Sequence, residues 1–333
     1  MPASLPPLAS LSALLDVFPA RHLLVVGDLV ADEYLYGQTD RVSREAPVLV
    51  VRHEAEEVKL GGAANAAANA RALGAEVTVV GALGDDRMGG EVRRLFKAAG
   101  IAVQAAGGPG VATETKTRIL AGGINTTRQQ MLRVDRGNVP PLGPDISGRL
   151  VEHLRSAAGD VDIVLVSDYG AGVVNDAVRA ELRRLTERTR VCVDSRYGLQ
   201  TLAGFFAAKP NEPELQALTG VRITSEESFL HAGKEGLDLL SCQALLVTRG
   251  RQGMALFEES GVTSLPVHGA REAVDVTGAG DTVMATFTLA LAAGATAVQA
   301  ARLANVAGGL VVQKQGTATV PLPELRAELE RSA

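Results

Sequence analysis

The stretch Asp275-Val276-Thr277-Gly278-Ala279-Gly280-Asp281-Thr282 runs straight into the apolar, alanine-rich segment Val283 to Ala293. A glycine-rich turn ahead of such a run predicts a loop feeding a helix N-terminus. There the first backbone N–H groups have no intrahelical partner and the helix dipole adds partial positive charge, so an anion is stabilised. Gly278 and Gly280 let that backbone come close to a phosphate. Asp281 sets a carboxylate beside the same anion hole, which suits a base taking a proton from an attacking hydroxyl better than a plain phosphate cradle. Phosphoryl transfer to an alcohol is the chemistry this arrangement points to. The structural alternative is a capped helix behind a tight turn.

The same eight residues match, position for position, the C-terminal signature of the ribokinase-like (PfkB) carbohydrate kinases. The resemblance spans Gly27 to about Pro321, with the motifs in the family's order. It implies that Asp281 is the catalytic base and that Gly278, Ala279 and Gly280 supply the oxyanion hole. It further implies ATP as donor with Mg2+, and an optional K+ site. The implied fold is a ribokinase-like three-layer α/β/α sandwich with a mostly parallel central sheet and a small β-sheet lid.

Composition sets the outer limits. A chain of 333 residues, 46% hydrophobic, can bury a large core, and 36 glycines indicate many tight turns. The net charge of -5 and the absence of a Lys/Arg block argue against a nucleic-acid partner. Arg179 to Arg190 alternates with Glu181 and Glu187 and reads as a solvated helix face. Cys192 and Cys242 sit beside apolar runs and read as buried, reduced thiols. The histidines lack metal-ligand spacing. Pro2, Pro6, Pro7 and Asp16 make a poor signal peptide, and no apolar run spans a membrane, so a cytoplasmic protein is expected. Tryptophan is absent, which leaves Leu, Val and Ala to build the core.

Taken in order, Leu23 to Val26 is a short apolar run ending in Gly27-Asp28, as for a parallel strand buried on both faces. Asp28 and Asp32 follow at the strand's C-terminal end, where open α/β sheets place ligands. They are also ordinary turn formers. The resemblance assigns sugar hydroxyls to Asp32, with Asp28 second. Residues 34 to 59 and 113 to 134, the latter broken at Gly122-Gly123 and Asn125, read as hairpin strands. The family uses such pairs as a lid over the sugar and as a dimer surface. Gly61-Gly62-Ala63-Ala64-Asn65 opens a helix to about Leu73. The glycines permit close packing, while the resemblance sets Gly61, Gly62 and Asn65 against the sugar. A turn from Gly81 precedes a helix at Glu91 to Ala99.

From residue 145 helix and strand alternate regularly, which implies right-handed parallel crossovers. The strand ends carry Asp168-Tyr169 and Asp194-Ser195-Arg196. In Lys209-Pro210-Asn211-Glu212-Pro213-Glu214 the Asn-x-x-Glu spacing places Asn211 and Glu214 one helical turn apart, able to organise a hydrated Mg2+. A capping box has the same spacing. The strand Ala244 to Val247 leads to Thr248, Gly250 and Gly253, which flank the nucleotide in the family and also suit a hairpin turn. The resemblance further sets Asn305 near the adenine and a monovalent-cation loop near Asp275 and Gly316.

Several stretches resemble the D-glycero-D-manno-heptose 7-phosphate kinase subgroup. They are Gly27 to Tyr36, Ser43-Arg44-Glu45-Ala46-Pro47-Val48, Lys116-Thr117-Arg118 and Gln129 to Asp135. Two departures stand out: the subgroup's Asp-Tyr-x-Lys-Gly has Ala171 for lysine here, and its Asp-Pro-Lys becomes Asp194-Ser195-Arg196. The nucleotidyltransferase half fused to some members is not expected, because the chain ends soon after the kinase motifs. One domain, 1 to 333, is expected, since Asp32 and Asp281 are far apart in sequence and useful only together. A phosphorylated acceptor needs fixed cations, and Lys116, Arg118, Arg133 and Arg196 are the candidates, unless they are plain surface charges. A homodimer through the lid completes the expected partners. The alternatives are a family member acting on ribose, fructose phosphate or a nucleoside, and a catalytically silent sugar or nucleotide binder. A dinucleotide-binding oxidoreductase would need a Gly-x-Gly-x-x-Gly turn after the first strand, which Gly27 to Asp32 lacks.

Overall fold

Strand β1 (His22–Gly27) sends Leu23 and Val25 into one hydrophobic layer and Leu24 and Val26 into another, all four fully buried. Side chains alternate across a strand, so burial on both faces requires helices on both sides of the sheet. The computed structural model describes residues 5–123, 127–137, 142–269 and 272–332, and the readings at Pro2 and Asn125 lie outside them.

The remaining strands are β2 (Leu29–Val42), β3 (Leu49–Gly62), β4 (Glu76–Ala82), β5 (Ala102–Ala106), β6 (Glu114–Gly122) and β7 (Gln129–Arg136). Then come β8 (Ile163–Asp168), β9 (Arg190–Ser195), β10 (Ala207–Ala208), β11 (Ala244–Thr248), β12 (Met254–Glu258) and β13 (Gly261–Leu265). A nine-stranded sheet has the order β13-β12-β11-β10-β9-β8-β1-β4-β5. It is parallel from β5 through β11 and ends in the antiparallel strands β12 and β13. The order reverses at β1, whose neighbours are β8 and β4. Such a switch point leaves a crevice beyond the strands' C-terminal ends.

The helices are α1 (Ser12–Val17), α2 (Ala63–Ala72), α3 (Arg87–Ala99), α4 (Pro144–Ala157) and α5 (Asp176–Leu185). They continue as α6 (Glu212–Thr219), α7 (Glu226–Leu240), α8 (Ala279–Ala292), α9 (Ala297–Val311) and α10 (Leu322–Arg331). One core layer gathers Phe18, Phe96 and Phe287 with α2, α8 and α9, and the other gathers Leu150, Leu182, Phe229 and Phe257. The architecture is a three-layer α/β/α sandwich.

A second, four-stranded sheet in the order β3-β2-β6-β7 stands apart from the first. Its two hairpins are antiparallel, and β2 joins them by pairing in parallel with β6. Three boundaries differ from the sequence reading. β2 begins at Leu29, so Asp32 lies within the small sheet, paired with Lys59 and Lys116, not in the loop after β1. Gly61 and Gly62 close β3, and the helix starts at Ala63. Helix α3 starts at Arg87, because the Asp86 side chain accepts from Gly89 N at 2.8 Å and caps it. Glu181 is buried under Arg155 and Arg184, at 2.8 and 3.1 Å, so that face of α5 is not wholly solvated. Both cysteines are free, Cys192 buried and Cys242 half-buried. No helix among the described residues is long and apolar enough to cross a membrane.

Candidate active site

A cavity of about 1140 Å³ lies over the C-terminal ends of the parallel strands. The C-terminal ends of β8, β9, β10 and β11 and the loops that follow them bring Asp168 and Tyr169, Asp194 and Arg196, Lys209 and Asn211, and Thr248 and Gly250 to it. The small sheet faces it with Asp32, Lys116, Arg118 and Arg133. The segment Val276 to Asp281 forms the floor between.

Asp281 is in the first turn of α8 and only 2% exposed. Asn65 Nδ2 donates to one of its carboxylate oxygens and the Tyr169 hydroxyl to the other, both at 2.8 Å. Burial outweighs those donors and pushes the carboxyl up to about 7, where it can exchange a proton near neutral pH. Asn65 is held in turn by Asn69, which accepts from the Thr282 hydroxyl at 2.9 Å. Gly278 precedes the helix at φ 75°, and a Cβ there would lie 2.5 Å from Asn65 Nδ2, so both conformation and space require glycine. The N–H groups of Gly278, Gly280 and Asp281 have no partner among the described residues, whereas Ala279 N donates to Val276 O at 3.2 Å. Ala279 therefore drops out of the expected anion hole: the turn that builds the loop uses its N–H. Lys209, 4% exposed, lies beside Gly280 and forms an ion pair with Asp194 at 3.0 Å, which keeps it protonated despite its burial.

At the other end, Asp32 is 3% exposed and paired with Arg118 across β2 and β6. Gly61 lies against it: a Cβ would come within 2.5 Å of the Asp32 carboxylate. Lys116 has its Nζ 4.6 Å from the centre of the Tyr169 ring, and burial lowers its pKa. Arg133 is exposed and bidentate to Asp135 at 2.8 Å. Arg196 is exposed beside Tyr197. Asp168 accepts from Gly170 N at 3.0 Å and from the Ser195 hydroxyl at 2.6 Å.

Asp28 belongs elsewhere. It is 1% exposed, does not line the cavity, and accepts from the N–H groups of Tyr169, Ala171 and Val173. Burial raises its carboxyl to about 6. Its expected contact with sugar is corrected to anchoring of the loop after β8. Asn65 likewise turns to Asp281 and not to the cavity wall.

Asn211 caps α6, and Glu214 Oε2 accepts from its N–H at 2.9 Å, so the capping box does form. Glu214 lines the same cavity, and its Oε1 has no hydrogen-bond partner among the described residues. Thr248, Gly250, Gly253 and Asn305 line this end, with Asn305 donating to Pro266 O at 2.7 Å. Asp275 accepts from Thr277 N and Gly316 N, each at 2.9 Å, which ties the two loops together. No cluster of three His, Cys, Asp or Glu side chains able to hold a metal occurs among the described residues.

Sequence reasoning named Tyr169 and Lys209 without giving them a role and gave Thr317 none. Thr317 lines the cavity, and its buried hydroxyl has no hydrogen-bond partner among the described residues.

The model of the pfkB family of carbohydrate kinases matches residues 20–325. Bifunctional protein HldE of Geobacter sulfurreducens is 39% identical over 315 residues, 93% of this chain and 63% of that protein. The HldE of Paramagnetospirillum magneticum is 40% identical over 318 residues, with the same two shares. The chain thus spans about 63% of the length of these curated relatives. Phosphofructokinase-2 from Escherichia coli in complex with potassium superposes with a TM-score of 0.76 at 18% identity, covering 94% of this chain and 99% of that one. Ribokinase from Arabidopsis thaliana complexed with ribose and ATP gives 0.69 at 23% identity, covering 94% and 98%. The fold is ribokinase-like, and by the extent of the family match the chain belongs to the pfkB family of carbohydrate kinases.

Proposed function

We propose that the chain transfers the γ-phosphoryl group of ATP to a hydroxyl of a phosphorylated sugar, namely D-glycero-D-manno-heptose 7-phosphate, giving the 1,7-bisphosphate. The observation that carries this reading is Asp281: a buried carboxylate poised near 7, at a helix N-terminus with free N–H groups, in a cavity whose far wall is cationic. Asp281 takes the proton of the acceptor hydroxyl. That oxygen bonds to the γ-phosphorus as the bond to the ADP oxygen breaks, and the Gly278 and Gly280 N–H groups meet the charge on the transferred oxygens. Asp32 holds acceptor hydroxyls, with Gly61 and Gly62 leaving the room. Lys116, Arg118, Arg133 and Arg196 attract the acceptor phosphate, and Asp168 fixes the neighbouring loop.

Thr248, Gly250, Gly253 and Asn305 flank the nucleotide in this reading. The free oxygen of Glu214, with Asn211, suits a water-mediated Mg2+, which keeps most of its waters and would neutralise the ATP phosphates when bound. A K+ near Asp275 and Gly316 is proposed by analogy with the potassium complex of phosphofructokinase-2. Residues 34 to 59 and 113 to 134 would act as a lid on one domain. The exposed Val42, Val48, Leu49, Met131, Leu132 and Val134 on that sheet support a homodimer formed there. Use of ATP and two unpaired cysteines support a cytoplasmic setting.

The substitutions at Ala171 and Arg196 favour testing relatives of the acceptor. ATP turnover measured with heptose 7-phosphate, fructose 1-phosphate, fructose 6-phosphate, ribose and adenosine decides it. Preference for the heptose phosphate is expected. Preference for an unphosphorylated sugar or a nucleoside would replace the acceptor and leave a kinase, and no turnover with any acceptor would favour a silent binder.

A further inference from the structure

We infer that Tyr169 is a positioning residue joining the small sheet to the base, its hydroxyl orienting the Asp281 carboxylate while its ring carries Lys116 of β6. The inference rests on the reading of Asp281 as base. Three contacts converge on this one side chain. The hydroxyl donates to Asp281 Oδ1 at 2.8 Å, opposite the Asn65 amide on Oδ2, so two donors on different elements fix the carboxylate plane. The ring face receives Lys116 Nζ at 4.6 Å, an attraction of ammonium for the aromatic quadrupole. The backbone N–H donates to buried Asp28 at 2.7 Å, and Asp28 also holds Ala171 and Val173. The Tyr169 loop is therefore fixed to the end of β1, and Gly62 packs beside the ring.

The groups facing this pair are few. Asp281 meets Asn65 of α2, Tyr169, Asp194 of β9 and Lys209 after β10. Tyr169 meets Asp281, Asp194, Asp32 of β2 and Lys116. Burial, then the Asp281 charge, holds the phenol well above its ordinary pKa, so it remains a donor wherever the base is ionised. A carboxylate that accepts this bond is stabilised in its charged form. Position 171, lysine in the subgroup, is alanine here, and Lys116 places its ammonium at the Tyr169 ring. Movement of β6 over an acceptor thus reaches the base through one aromatic ring.

Steady-state kinetics against pH test this with Tyr169→Phe, Lys116→Met, the double variant and Asp281→Asn. Tyr169→Phe keeps the ring and loses the donor. It is expected to lower kcat about tenfold or more, leave KM for ATP unchanged, and move the acid limb of kcat/KM up by about one pH unit. Lys116→Met is expected to lower kcat and raise KM for the acceptor. In the Tyr169→Phe background the kcat component should vanish while the KM component persists, because the path to the carboxylate is already cut. Should Tyr169→Phe not fold, 3,5-difluorotyrosine at 169, a stronger donor, should move the acid limb down. An unchanged acid limb in whichever variant folds, or kcat effects that multiply fully in the double variant, would overturn the inference. If Asp281→Asn itself keeps its turnover, the functional reading falls first. An inactive Asp281→Asn beside an unshifted Tyr169→Phe profile rejects the role of Tyr169 alone.

Discussion

The strand-end loops of the large sheet and the inner face of the small sheet both bear charge toward the same cavity, yet they hold it differently. At the strand ends and the α8 N-terminus, Asp168 is gripped by one N–H and a serine and Asp281 by an amide and a phenol, while Asp194 pairs with Lys209; Asp28, outside the cavity, is held by three backbone N–H groups. On the small sheet the charges ride on long side chains, Arg118 against Asp32, Arg133 against Asp135, Lys116 against a ring. Fixed dipoles suit the place where charge develops in a transition state, because they need no rearrangement at that moment. Long cations suit the place where a charged substrate must enter and be released from water. Substitution of these fixed carboxylates should therefore act on kcat, and substitution of the long cations, Arg196 included, mainly on KM for the acceptor.

The sharpest attempt to break that division is Asp281→Asn. It preserves size and removes proton-accepting power, so kcat should fall about 10²- to 10⁴-fold with KM for ATP nearly kept. In the unaltered enzyme, kcat/KM should fall as pH drops through about 7, since protonation removes the base. An asparagine variant that retains most of its turnover ends the assignment. Arg118→Ala comes next: it leaves Asp32, 3% exposed, without its ion-pair partner, a loss on the order of 3 kcal/mol in stability as well as a raised acceptor KM. An unchanged melting temperature would show that the pair is already solvated. Arg196→Ala, at an exposed position, should raise KM for the phosphorylated sugar by about 1.5 to 3 kcal/mol and leave KM for ATP alone. Equal effects on both would place Arg196 between the two substrates. The mildest expected effect is slower amide exchange in residues 34 to 59 and 113 to 134 when the acceptor binds. Equal exchange with and without sugar would count against closure of the small sheet.

The contrast also marks what was legible in the sequence. Leu23 to Val26 announced a strand buried on both faces, because a continuous apolar run of that length has few other uses, and the glycine loop announced the α8 N-terminus. Asn211 and Glu214 fitted two readings at one spacing, and the backbone adopts the capping box while sparing one oxygen. Asp28 and Asp32 look alike on paper. What separates them is that β2 begins directly after Asp28, which aims one carboxylate into the loop after β8 and the other into the cavity. Tyr169 was visible at a strand end within the Asp-Tyr-x-Lys-Gly pattern, but its role was not, since its partners Asp281 and Lys116 are distant in sequence and meet only through the sheet order. Strand β5 was also missed: Ala102 to Ala106 is a short, half-buried edge strand built mostly of alanine, which carries little strand preference.

The central claim is that this cavity phosphorylates a sugar that already bears a phosphate, and one measurement tests it most directly. It is kcat/KM with ATP for D-glycero-D-manno-heptose 7-phosphate against the same heptose without its phosphate. Each charged hydrogen bond to that phosphate is worth about 1.5 to 3 kcal/mol, so two such bonds predict a preference of at least about 100-fold for the phosphorylated sugar, carried mainly by KM. Equal values for the two sugars would contradict the account.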